Sequence, residues 1–287
     1  MRSRLLVAVL IAAGVAAAGL AGLQRWQKAR EAERVESLRV RLATRAGSPE
    51  EHHWLGLRLA AQGEKDEALG HLEIAARTAP SDLRIGNDLR LTCIRMREWD
   101  RCIAFFESLS AEASQVAEPH LQLALAYVDK MPDNMLGIVG QGRLSKLSIA
   151  QLNPLIALED LPPETRWSAL YALGLNHLYW PKALGHAPAA VVAFEAGIAH
   201  QLSDFDAARP CFRLPYLGLG DALVKLGRHD EARSVWREAR MLLGRDARLD
   251  ERLEITEDGR LTEHIDTIRG LGIAVDTDLS ILWGRDP

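Results

Sequence analysis

Apolar positions along this chain recur with helical rather than strand spacing, and the pattern divides it into a span, a stalk, a long helical body and a tail. Leu5 to Leu23 (LLVAVLIAAGVAAAGLAGL) carries no charge. At about 1.5 Å per residue it is long enough for the roughly 30 Å hydrocarbon core of a bilayer. Arg2 and Arg4 precede it and Arg25, Trp26, Lys28 and Arg30 follow, the flanks of a membrane helix. A cleaved signal peptide would open in the same way, with Ala16 and Ala18 as its small residues; we take 1–23 as an uncleaved signal-anchor. Leu23 stands where a lipoprotein signal needs its cysteine, which excludes lipidation there. Gly14, Ala18 and Gly22 make a small-residue stripe, a spacing that an Ala/Gly-rich span also produces by chance. From 24 to 48 a charged stalk helix shows Val35, Leu38 and Leu42 at i, i+3 and i+7 and ends at Gly47-Ser48-Pro49.

In the body, Leu55, Gly56 and Leu59, then Ala68, Leu72 and Ala75, predict two helices about a glycine turn at Gly63. Residues 132–162 depart from that layout. Gly137, Gly140 and Gly142 suggest a flexible turn, and Pro154, lacking an N–H and crowding the preceding turn, is expected to split or kink the helix that follows. At the end, Leu261, Ile265, Ile268 and Leu271 predict an amphipathic helix. Asp278 to Trp283 reads as one apolar turn, N-capped by the Asp276-Thr277-Asp278 cluster, so 245–287 is assigned as a capping segment.

The body repeats itself. Tyr216-Leu-Gly-Leu-Gly-Asp-Ala-Leu-Val-Lys-Leu-Gly227 leads into Asp230-Glu-Ala-Arg-Ser-Val-Trp236 and Ala239, and Trp54 to Ala75 has the same layout. Further copies carry Leu89, Cys93, Trp99, Cys102 and Phe106, and Trp167, Leu173, Gly174, Ala190 and Phe194, the latter with a longer turn over Tyr179 to His186. Tyr216, Leu219, Gly220, Leu223, Gly227, Ala232, Trp236 and Ala239 stand at the signature spacings of the tetratricopeptide repeat, and the chain resembles that family over about 49–244.

The resemblance implies an all-α fold: a right-handed superhelix of stacked TPR-like helix pairs, here with one N-terminal transmembrane helix and a C-terminal capping helix. It also implies a concave groove, lined by the first helix of each pair, that binds a peptide or helix of another protein. Carried over by repeat position, the groove holds His53, Leu57, Asn87, Leu91, Ile94, Arg95, Leu121, Leu125, Val128, Tyr171, Leu175, Leu178, Tyr179, Leu217, Asp221, Val224 and Lys225. That face is more apolar than a solvated one should be, so it is covered either by a partner or from within, by the tail or by 132–162. His53 and Leu57 stand where relatives that clamp a chaperone C-terminus need a cation and an Asn, so that mode is not matched. Cys93 and Cys102 fall on the two antiparallel helices of one repeat. They are a candidate disulfide in an oxidising compartment, or otherwise two buried thiols.

Composition narrows the function. Lys and Arg total 35 against 39 Asp and Glu, a net charge of -4, which argues against a nucleic-acid partner. His52-His53, His177 and His186 invite a metal, but no HExxH or CxxC spacing supports one, and they are read as structural. The glycines at 137–142 lack the Lys-Ser/Thr of a phosphate loop, and there is no GxSxG elbow. The expectation is therefore no enzyme, no cofactor and no metal. The chain reads as a membrane-anchored scaffold that holds a segment of another protein and assists assembly of an envelope or membrane complex. Relatives with this layout serve in bacterial envelope assembly, including c-type cytochrome maturation. Charge on the two flanks of the span points both ways; the signal-anchor arrangement favours a bacterial inner membrane with the body in the periplasm. A self-associating homo-oligomeric platform is the alternative, and a small enzyme or metal protein built on the Tyr179 to His186 turn a more distant one.

Overall fold

The computed structural model describes residues 26–27 and 29–284, so the anchor over 1–23, its cleavage and its small-residue stripe lie outside the described residues. Among the described residues there is no strand, and no helix is long and apolar enough to cross a membrane. The described residues divide into two compact units, one up to Ala75 and one from Ala76 onwards.

In the first unit, helix α1 (29–44) buries Val35 and Leu38, two of the positions its periodicity picks out. Helix α2 (Pro49–Gln62) starts in a capping box. The Ser48 hydroxyl accepts from the Glu51 N–H at 3.2 Å, and the Glu51 carboxylate accepts from the Ser48 N–H at 3.1 Å. Gly63 ends the helix at φ 86°, a left-handed conformation that glycine reaches without a Cβ clash. Helix α3 (Lys65–Thr78) then returns. The pair crosses at Gly56, where a Cβ would lie 2.7 Å from Leu72 Cγ and 2.9 Å from the Ala68 carbonyl oxygen. That close approach buries Leu55, Leu59, Ala68, Leu72 and Ala75 completely.

The second unit continues as pairs: α4 (Leu83–Arg95) with α5 (Trp99–Glu112), α6 (Ala117–Lys130) with α7 (Gly137–Ile156), α8 (Pro163–Leu178) with α9 (Ala187–Ser203), and α10 (Arg213–Lys225) with α11 (His229–Leu243). Each first helix also packs on the next, α4 on α6, α6 on α8 and α8 on α10, so this is a TPR-like stack in which the first helices share one face. The bulky repeat residues decide where glycine is needed. The Phe194 ring occupies the space of a Cβ at both Gly174 and Gly218, 2.4 Å from each ideal position, and the Trp236 indole comes within 2.0 Å of one at Gly220.

Residues 137–156 correct the sequence expectation. They form one unbroken helix, α7, with Gly140 and Gly142 inside it and only Gly137 (φ 58°) marking a turn at its start. Pro154 is tolerated because it sits in the last turn. The bond it cannot make belongs to the carbonyl of Ala150, an exposed residue, where water can replace it.

The tail follows as α12 (Ala247–Glu254), packed on α11, and α13 (Asp258–Ile268), packed on α10. Leu249, Leu261 and Ile265 are fully buried there. The chain then turns at Gly272 (φ 85°) and ends in a 3-10 turn, Ser280–Trp283.

Candidate functional site

The face shared by α4, α6, α8 and α10 contains most of the residues assigned to the groove, and the chain's own C-terminal segment lies over it. Leu121, Leu125 and Val128 on α6, Leu175 and Leu178 on α8, and Leu217 and Val224 on α10 are buried in the core. Leu91 and Ile94 are half-buried, Arg95 is exposed, and in the first unit His53 is buried and Leu57 half-buried. The polar members of the set, Asn87, Tyr171, Tyr179, Asp221 and Lys225, are also buried, and they touch residues 269–279.

The segment enters beside α10. Asp221 accepts from Arg252 through both carboxylate oxygens at 2.6 and 2.9 Å and from Arg269 Nε at 2.8 Å. Burial alone would raise the Asp221 carboxyl, but the two guanidiniums outweigh it and hold it below the ordinary carboxylate value. Arg269 also donates to the Tyr179 hydroxyl at 2.6 Å. Lys225 donates to the carbonyls of Leu178, Trp180 and Arg269 at 2.8, 2.9 and 2.7 Å, joining the end of α8 to the end of α13. Burial pushes its ammonium down to about 8.

Further along, the Tyr171 hydroxyl donates to the Asp276 carbonyl at 3.3 Å. Arg90, fully buried on α4, donates to the Thr277 carbonyl at 2.6 Å and the Thr277 hydroxyl at 2.7 Å. Its other bonds go to Gln122 and Asn87, both at 2.9 Å, and to Asp129, whose carboxylate also accepts from Thr277. Asn87 donates to the Asp278 carboxylate and accepts from the Leu279 N–H, both at 3.2 Å. The expected capping role of Asp278 is present as well, since its carboxylate accepts from the Ser280 N–H at 2.8 Å. Leu279 is fully buried, and the final turn packs against α4 and the Pro210–Phe212 turn. Beside the segment a cleft of about 540 Å³ stays open, lined by Leu91, Ile94, Met135 and Val275 among others.

Arg90, Gln122, Asp129, Arg252 and Arg269 are absent from the sequence-derived set. The one available signal was Asp88 and Arg90 interrupting an apolar face of α4, since a buried cation must have partners. Arg252 and Arg269 lie outside the repeats, so repeat position could not assign them.

Among the described residues no group of three or more His, Cys, Asp or Glu could hold a metal. His52 and His71 meet through Nδ1 atoms at 2.8 Å, and His177 and His186 at 3.1 Å, the latter ring stacked on Trp180 with centroids 5.0 Å apart. Such a bond needs a neutral ring as its acceptor. Burial lowers both members of each pair, His177 to about 4. A depressed folded value means that stability is complete above the unfolded value of about 6.5 and is lost as pH falls from there towards about 4, because the unfolded chain takes up protons first. The urea midpoint is therefore expected to fall across that window. The fall should be shallower in His177→Gln, by on the order of 1 kcal/mol after allowing for the ring's partial exposure. Identical pH profiles for the two proteins would contradict this.

Cys93 and Cys102 are buried free thiols in contact with one another, and Cys102 is pushed well up by its hydrogen bond to Cys93 and by burial. Cys211 is likewise a buried free thiol, pushed up to about 12. A thiol reagent that titrates all 3 cysteines of the denatured, unreduced chain would show that the pair stays reduced, whereas the oxidising compartment proposed below favours a lower count. A count near one would instead place a Cys93–Cys102 bond.

No family model matches the chain, and none of the curated proteins does. Among solved structures, one similar chain is a thermophilic TPR protein of Thermus thermophilus, at 21% identity with a TM-score of 0.47, the match covering 72% of this chain and 97% of that one.

Proposed function

We propose that this protein is a membrane-anchored scaffold that holds an extended segment of another protein on its inner face, assisting assembly of an envelope or membrane complex, with its body on the periplasmic side of a bacterial inner membrane. The observation that carries the reading is that the face already holds a segment without regular secondary structure, residues 276–279, by bonds directed at main-chain atoms: Arg90 to the Thr277 carbonyl, Tyr171 to the Asp276 carbonyl and Asn87 from the Leu279 N–H. Main-chain capture by side chains on a rigid helical face suits a peptide ligand.

The test is affinity capture from detergent-solubilised membranes, comparing the native chain with Leu91→Asp/Ile94→Asp. Both residues line the open cleft and are only half-buried, so the double variant is expected to keep its fold. Partners lost in that variant support the reading, and partners unchanged by it would refute groove binding. Crosslinks found only between copies of the chain would favour the self-associating platform. A reporter fused at the C-terminus fixes which side the body faces.

A further inference from the structure

Residues 276–279 are bound as a ligand is bound. Recognition divides between main-chain contacts, which any sequence can make, and three side-chain features: a hydroxyl at 277 shared between Arg90 and Asp129, a carboxylate at 278 received by Asn87, and a leucine at 279 with no exposure. The receiving groups are polar and already paired among themselves, Arg90 with Asp129, Gln122 and Asn87. A permanently covered face gains little from such a network, because apolar residues of the same volume commonly serve a closed core as well or better. A face that must stand in water between occupants needs it. The segment is also joined to the rest through an exposed, glycine-containing stretch, 272–274, while Arg269 remains fixed by Asp221. The adjoining cleft extends the same track past Val275.

We propose that this face recognises protein segments outside regular secondary structure with the order hydroxyl, acid, leucine, and that residues 276–279 are its resident occupant, exchangeable for such a segment of another protein. This deepens the scaffold reading and rests on it for the existence of a partner.

The test uses the full chain with a protease site inserted between Gly272 and Ile273, and a fluorescent peptide of residues 273–284 as probe. The uncut chain should take up the peptide at least ~100-fold more weakly than the nicked chain, since a tethered competitor acts at millimolar effective concentration. The nicked chain should exchange its own segment for the probe, and a peptide carrying Thr277→Val should bind about tenfold more weakly, the usual loss for a hydrogen bond to a charged group. The proposal is overturned if the nicked chain never exchanges its segment, if native and Thr277→Val peptides bind equally, or if release of the segment abolishes the helical circular dichroism. Peptide exchange without any partner captured from membranes would leave the recognition standing and remove the scaffold reading, so the two failures are distinguishable.

Discussion

Asp221→Ala is expected to destabilise the protein by about 3–5 kcal/mol, the range for removing one partner of a buried ion pair. Asp221 is completely buried on α10 and is the carboxylate shared by two cations, Arg252 on α12 and Arg269 at the end of α13. Their side chains are only 4% and 15% exposed, so neither recovers much hydration when the carboxylate is lost. The loss should appear as a lower urea midpoint with unchanged slope and as a melting temperature lower by on the order of 10 °C for a body of this size. Arg252→Met in the same chain should recover part of it, because the double variant leaves one unpaired cation instead of two. A measured cost under about 1 kcal/mol would mean that the tail docks without this triad.

Phe194→Ala should cost a similar amount, about 3–5 kcal/mol, through the cavity it leaves. The ring is fully buried and lies in the notch formed by Gly174 on α8 and Gly218 on α10, so removing it loosens two successive pairs at once. The converse changes locate the fault in packing. Gly218→Val should cost about 1–3 kcal/mol by overfilling the notch, and in combination with Phe194→Leu it should cost less than the sum. Additive losses in denaturant titrations would show that the ring and the glycine do not share that space.

Most of the helix pairing was legible in the sequence. Gly56, Gly220, Ala232 and Trp236 were assigned from spacing, and each stands at a close crossing or is fully buried. Pro154 misled because the cost of proline depends on its position within a helix: in the last turn it leaves one exposed carbonyl to water rather than breaking the rod. The groove set was legible as a face but its cover was not. Asn87, Tyr171, Asp221 and Lys225 were assigned to that face from the repeat register, and what lies on them comes from Arg252 and residues 269–279, as many as 192 positions away along the chain.

Helical class, the pairing of helices outside 132–162, the crossing glycines and the acidic cap on the last turn were all readable from the linear pattern. All of these rest on contacts between residues a few positions apart or one repeat apart, where spacing is nearly geometry. That Arg90 and Asp129 grip Thr277, that Asp221 binds two arginines from beyond the repeats, and that the tail lies on the shared face came only with the folded chain. Those contacts depend on where the stacked pairs bring the C-terminal segment, and a linear pattern has no period from which to read that distance.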